Sequence, residues 1–114
     1  MTRFEKIILS ITGGSHLSVH ALMLALPSLI PVIRNEFDVG LSTLGFVVSI
    51  SGFMFGLGAI PAGWAEKRFG GRQLLLIYQA GSSISALLVA LSGSFAMMVV
   101  GLSMMGFFCS IYHP

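Results

Sequence analysis

The stretch "GWAEKRFGGRQ", residues 63–73, contains four charged side chains and two adjacent glycines. The sequence around it is of a different kind, because residues 39–65 and residues 73–114 contain no Asp, Glu, Lys or Arg. A short charged segment between two long apolar runs is typical of a connection that lies outside a bilayer between two spanning helices. The stretch therefore predicts a hairpin of two membrane helices.

The composition of the chain supports this interpretation. Of its 114 residues, 55% are hydrophobic and 9% are charged, whereas a soluble domain carries about 25% charged residues. The formal net charge of +2 is too small to indicate nucleic-acid binding. We therefore expect an integral, multi-pass membrane protein with the lipid bilayer as its surroundings. Its one cysteine, Cys109, can form no disulfide within the chain.

Four spanning segments are predicted, at residues 7–33, 42–64, 73–91 and 95–114. The uncharged run after residue 72 is too long for one span of about 20 residues, and "SGS" at residues 92–94 divides it. Backbone groups in lipid must be bonded within their own segment, and the apolar runs do not alternate as strands of a barrel would. The fold class is therefore all-α.

The distribution of lysine and arginine predicts the orientation. With the N-terminus in the cytoplasm, one basic residue, Arg34, lies outside, and the cytoplasmic side holds the others: Arg3, Lys6, Lys67, Arg68 and Arg72. This arrangement satisfies the positive-inside rule. A cleaved signal peptide is a weaker alternative, since the uncharged run of residues 7–33 is longer than the apolar part of such peptides.

Histidines are the candidate functional residues of the first span. His16 and His20 are four residues apart and so share one face of a helix. Ionisable side chains within a membrane are costly and are typical of substrate or proton pathways, and histidine changes charge between pH 5 and 8. We assign His16, His20 and His113, near the end of the fourth span, to such a pathway. The alternative is that the histidines only bond to a neighbouring helix.

The sequence predicts no metal site, no cofactor and no enzyme. The pair at residues 16 and 20 lacks the HExxH pattern and any nearby third ligand. A nucleophile with its base, a phosphate-binding loop and a carboxylate pair are also missing from the sequence.

Small residues form a strip along one face of the second span: Gly45, Ser49, Gly52 and Gly56. Such strips allow helices to approach closely, and we expect close packing here. A surface on which helices slide is the alternative.

The hairpin resembles the signature of the major facilitator superfamily, which reads roughly G-x-x-x-D-R/K-x-G-R/K-R/K. Gly63, Arg68, Gly70 and Arg72 match it in order and spacing. Lys67 stands where the family usually has aspartate, and Glu66 precedes it. The stretch "SHLSVHALMLALPSLIPVIRNEF" and the final "YHP" are similar to fosmidomycin-resistance-type efflux proteins.

The resemblance implies a twelve-helix carrier in two halves, of which this chain is the N-terminal part and the missing helices are partners. It implies a secondary, proton-coupled carrier of a small molecule in a bacterial inner membrane, with drug efflux by antiport as the expected activity. It also implies that the hairpin gates the cytoplasmic side through a set of residues: Gly63, Glu66, Lys67, Arg68, Gly70 and Arg72. The chain ends within the fourth span, and we expect a fragment.

Two alternatives remain open at this point. The length suits a complete four-helix small multidrug exporter acting as a dimer, although such proteins depend on an acidic residue within the first span and Glu5 precedes it. The second alternative is a membrane scaffold subunit that transports nothing, since small-residue packing is not specific to carriers.

Overall fold

The all-α prediction is confirmed. A computed structural model describes residues 1–112, and this part of the chain forms four α-helices. They are α1 (Arg3–Phe37), α2 (Leu41–Phe69), α3 (Gly71–Ala90) and α4 (Phe95–Ser110). The four predicted segments correspond to these helices in order, with connections of a few residues between them.

The helices α1 and α2 are longer than the uncharged segments that predicted them. Thr2 and Glu5 form a capping box at the start of α1, in which the Thr2 backbone N–H donates to a Glu5 carboxylate oxygen at 2.7 Å. At the other end, α1 continues through Pro27 and Pro31 and closes on Asp38 in the left-handed conformation. The charged residues mark where the chain leaves lipid, whereas the caps mark where the helix stops.

Three of the helices in residues 1–112 are long and apolar enough to cross a membrane, namely α1, α2 and α3, with mean hydropathies of 1.7, 1.8 and 1.5. The fourth, α4, has 16 residues, a rise of about 24 Å. It is apolar but shorter than the hydrocarbon core of about 30 Å. The chain is an integral, multi-pass membrane protein.

The short helix α4 lies at the centre of the bundle. It packs most extensively against α2 and α3, and α1 contacts α2 and α4. Glycines make the close approaches: a side chain at Gly106 would collide with the backbone of Ser51, and one at Gly81 with the ring of Phe108. The Ser51 hydroxyl also donates to the Leu102 carbonyl at 3.0 Å, which ties α2 to α4.

The predicted glycine strip of α2 does not make these contacts. Gly45, Gly52 and Gly56 are exposed, and no atom of a neighbouring helix in residues 1–112 lies where their side chains would be. The face of α2 that packs in this structure is the one with Leu44, Val47 and the buried Gly58.

Candidate functional site

The two histidines of α1 form a hydrogen-bonded pair. Their Nε2 atoms are 3.1 Å apart, and the rings meet edge to face with centroids 4.6 Å apart. This geometry follows from the four-residue spacing, which places both side chains on one face of α1. Both residues are exposed within residues 1–112.

Two tyrosines join the histidine pair to the rest of the bundle. Tyr78, on α3, is fully buried, and its hydroxyl donates to the Ser15 carbonyl of α1 at 3.1 Å. Tyr112, just after α4, donates in the same way to the Thr12 carbonyl at 2.9 Å. A buried phenol requires a hydrogen-bond partner, and both find one on the turn of α1 that precedes or includes His16.

The rings of these residues form a continuous series. The centroid of Tyr112 lies 5.5 Å from that of His16 and 5.4 Å from that of Tyr78. We refer to His16, His20, Tyr78 and Tyr112 as the His–Tyr cluster. It is built from three helices, α1, α3 and the end of α4, so a relative movement of these helices would change its contacts.

Two hydroxyls of α1 near the histidines are bonded to their own helix. Thr12 Oγ1 donates to the Ile8 carbonyl at 2.8 Å, and Ser18 Oγ donates to the Gly14 carbonyl at 2.9 Å. Such bonds satisfy a hydroxyl within an apolar surrounding. The imidazoles of His16 and His20 are the ionisable side chains of this part of α1.

The charged hairpin is mostly helical. Gly63 and the three charged residues that follow it belong to α2, which runs to Phe69, while Arg72 is the second residue of α3. Gly70 alone connects the helices, with φ 80° and ψ 157°. This region of backbone conformation is essentially restricted to glycine, so Gly70 makes the turn, and Gly71 begins the next helix.

Within the hairpin, Arg68 lies over aromatic rings. Its guanidinium carbon is 5.4 Å from the centroid of the Trp64 ring and 5.6 Å from that of Phe69. Both distances are within the range of a cation–π interaction. Arg68 is exposed, so these rings orient its guanidinium without burying it.

Glu66 faces a cavity of about 230 Å³ between the hairpin and the His–Tyr cluster. Thr12 of α1 and Tyr112 line the cavity as well, and the rest of its wall is apolar or backbone: Gly71, Leu74, Leu75 and Ile111. Lys67 is not part of this wall, because consecutive residues on a helix point about 100° apart.

Residues 11–114 match the Major Facilitator Superfamily. The chain belongs to this superfamily. One curated relative, the tetracenomycin C resistance and export protein of Streptomyces glaucescens, is 31% identical over 104 residues. The alignment covers 85% of this chain and 19% of the relative, so the chain spans about a fifth of that protein's length. No solved structure matches the chain significantly.

Membership of the major facilitator superfamily decides between the major facilitator carrier and the small multidrug exporter. It confirms the resemblance drawn from the hairpin at the level of the superfamily. It excludes a small multidrug resistance protein, because those proteins belong to another family. The superfamily is one of carriers rather than enzymes.

The structure does not bring all predicted site residues together. His16 and His20 are paired, but the hairpin lies apart from them, with the Glu66 cavity between. His113 lies outside the described residues. Within residues 1–112, no three His, Cys, Asp or Glu side chains are grouped closely enough to hold a metal ion.

Sequence reasoning missed the two tyrosines of the cluster. They are the only tyrosines of the chain, and both stand in uncharged runs where a phenol hydroxyl needs a partner. A tyrosine in an uncharged run therefore indicates that its hydroxyl has a hydrogen-bond partner within the protein. The sequence does not show that this partner is a backbone carbonyl of α1.

Proposed function

We propose that the chain is the N-terminal part of a longer secondary carrier that exports a small molecule in exchange for protons. Membership of the major facilitator superfamily and the apolar helices support transport across a membrane. The relative from Streptomyces glaucescens, which is named for resistance and export, supports efflux as the direction. Because the chain covers 19% of that relative, the activity belongs to the complete carrier.

The proposed substrate is a small antibiotic-like molecule. The curated relative is named for resistance to tetracenomycin C, and the first helix resembles that of fosmidomycin-resistance-type efflux proteins. Both likenesses concern the removal of a toxic compound from the cell. They differ in the compound, so resistance to tetracenomycin C and to fosmidomycin would each be measured in cells that produce the complete carrier.

Proton exchange is the proposed role of His16 and His20, and their 3.1 Å contact is the observation that carries it. A hydrogen bond between two Nε2 atoms uses one proton, donated by either ring. A singly charged pair is compatible with this bond, because the donating ring keeps its Nε2 proton when it becomes an imidazolium. If both rings were imidazolium ions, each Nε2 would carry a hydrogen and neither could accept the bond. We therefore propose that the pair gains and loses one proton at a time.

The histidine face of α1 is proposed to line the transport cavity. Both imidazoles are exposed within residues 1–112, although they lie in a spanning helix. An ionisable side chain in a membrane faces a bundle interior or a water-filled cavity. The remaining helices of the carrier would complete that cavity opposite this face.

The proposed location is a bacterial inner membrane with the N-terminus in the cytoplasm. The basic residues near the N-terminus and in the hairpin would then lie on one side, in accordance with the positive-inside rule. Labelling of single cysteines at residues 2 and 69, in a carrier with Cys109 replaced by serine, measures this. We expect both positions to react with an impermeant reagent from the cytoplasmic side.

The hairpin is proposed to gate the cytoplasmic side. Gly63, Glu66, Lys67, Arg68, Gly70 and Arg72 form the matched segment. The aromatic rings that orient Arg68 present its guanidinium at the surface, where it can bond groups of the second half of the carrier in one state only. Contacts present in one state and absent in the other bias the equilibrium between states.

Transport by the complete carrier across a range of pH tests the proton role. We expect His16→Gln and His20→Gln to lower the transport rate and flatten its pH dependence, because glutamine can hydrogen-bond but does not titrate between pH 5 and 8. Ser18→Ala is the matched control on the same helix, since the Ser18 hydroxyl donates to a carbonyl of its own helix.

Normal rates and an unchanged pH profile in both histidine variants would remove the pair from the mechanism. A complete protein that transports neither compound, while reaching the membrane in normal amounts, would favour the scaffold interpretation instead.

A further inference from the structure

We infer that Glu66 is the carboxylate through which protons pass between the hairpin side of the membrane and the His–Tyr cluster. The inference rests on the proposed proton exchange at His16 and His20, and it adds the route by which protons reach them. It depends on a cavity and on the position of one acidic side chain, neither of which the sequence pattern reveals.

The cavity beside Glu66 can hold water. Its volume is about 230 Å³, whereas one water molecule occupies about 30 Å³ of the liquid. Three residues with polar side chains line it, Glu66, Thr12 and Tyr112. A space of this size beside several polar side chains is the kind of site that holds ordered water.

Two residues of the cavity wall connect it to its surroundings. Glu66 is exposed in the described part of the chain, so its carboxylate can exchange protons with solvent at the hairpin. Tyr112 also lines the cavity, and its ring centroid lies 5.5 Å from that of His16. The cavity is therefore lined both by an exposed acidic residue and by a residue that contacts the histidine pair.

Among the residues that line the cavity, Glu66 is the group suited to proton exchange. Tyr112, from the end of α4, is the other titratable group in the wall, and α1 contributes Thr12. From α3 come a glycine and two leucines. The nearby cations Lys67 and Arg72 are exposed and do not line the cavity, while Tyr78 and Cys109 are buried deeper in the bundle.

The transfer itself is a simple movement of a proton. The Glu66 carboxylate accepts a proton from solvent and donates it to water in the cavity. In the inferred route, a proton then passes beside Tyr112 to a ring nitrogen of His16, which does not itself line the cavity. The carboxylate is then ready to accept again. The same path in reverse releases a proton from the pair, and no other bond forms or breaks.

The departure from the family signature fits this role. Lys67 occupies the position where the signature has aspartate, and Glu66 lies one residue earlier on the helix. Because α2 continues to Phe69, this shift of one residue turns the carboxylate by about 100°. The carboxylate thereby faces the cavity lined by Thr12 and Tyr112.

The test compares two transport modes of the complete carrier in proteoliposomes, with tetracenomycin C as the probe. One mode is driven by a pH gradient, and the other is substrate counterflow, which requires no net proton movement. For Glu66→Gln we expect gradient-driven transport to fall about a hundredfold, and counterflow, which reports any contribution of Glu66 to gating, to fall much less. Glu66→Asp, which keeps the carboxylate, restores a large part of the rate.

Glu36→Gln is the matched control. Glu36 lies near the other end of α1, and its removal leaves both modes unchanged. Equal gradient-driven rates in Glu66→Gln and the unaltered carrier would overturn the inference, and the proposed function would stand if His16→Gln still abolished gradient-driven transport. An equal fall of both modes in Glu66→Gln and in Glu66→Asp would also overturn it, since it would show that the side chain acts in gating alone.

Discussion

The hydroxyl of Tyr78 donates a hydrogen bond to the backbone carbonyl of Ser15, 3.1 Å away, and this contact joins α3 to the turn of α1 that carries His16. The two residues are 63 positions apart in sequence. A ring without exposed surface anchors the bond. The bond links the turn of α1 that carries His16 to a buried residue of α3.

Tyr78→Phe removes this hydrogen bond and keeps the ring. We expect the carrier to lose about 0.5–1.5 kcal/mol of unfolding free energy, because the Ser15 carbonyl retains its helical bond and loses only the second one. Thermal unfolding of the complete carrier in detergent measures the change. Ser18→Ala is the control for loss of a hydroxyl near the same turn, and an equal stability of Tyr78→Phe and the unaltered carrier would show that the bond is not formed.

Gly70→Ala strains the connection between α2 and α3. An alanine at φ 80° and ψ 157° costs about 1–3 kcal/mol, so we expect a lower Tm in the complete carrier. Gly71→Ala is the matched control, since Gly71 is helical and no atom lies near the position of its added Cβ. Equal Tm values for the two variants would mean that Gly70 does not adopt this conformation.

Gly106→Ala separates α4 from α2. The added methyl group would meet the backbone carbonyl and the hydroxyl of Ser51, and such overpacking costs about 1–3 kcal/mol. We expect reduced thermal stability and reduced amounts in the membrane. Gly93→Ala, in the connection before α4, meets no atom of residues 1–112 and serves as the control; a larger loss there than at Gly106 would contradict the packing described.

Arg68→Ala is expected to reduce transport several-fold while leaving the amount of carrier in the membrane unchanged. The exposed cation–π contacts with Trp64 and Phe69 contribute about 0.5–1 kcal/mol, which is too little to prevent folding. Arg3→Ala removes a base on the same predicted side without touching the hairpin. Loss of membrane expression in Arg68→Ala would instead support the interpretation that the basic side chain of Arg68 only anchors the turn.

The sequence predicts the number and order of the helices because uncharged runs of sufficient length report which segments lie in lipid. It also predicts that His16 and His20 share one face of a helix, since that relationship is local; their contact with each other was not predicted. The ends of α1 and α2 were predicted too short, because charge reports the edge of the membrane and the helices continue beyond it to Phe37 and Phe69.

Contacts between distant segments were not predictable in the same way. Tyr112 and Thr12 are 100 residues apart, and their bond depends on how α1 lies against the end of α4. The glycine strip of α2 shows the same limit. A small-residue pattern identifies a face on which a helix can approach closely, but it does not say which helix does so, and in residues 1–112 the close contacts fall at Gly58, Gly81, Gly101 and Gly106 instead.

The release of protons on substrate binding tests the central claim most directly. The complete carrier, purified in weakly buffered detergent solution near the pH at which histidine titrates, is mixed with tetracenomycin C while a pH indicator dye is followed. We predict that the unaltered carrier and Ser18→Ala release protons and that the double variant His16→Gln/His20→Gln binds the compound without releasing any. An undiminished release from the double variant would contradict the assignment of proton exchange to this pair.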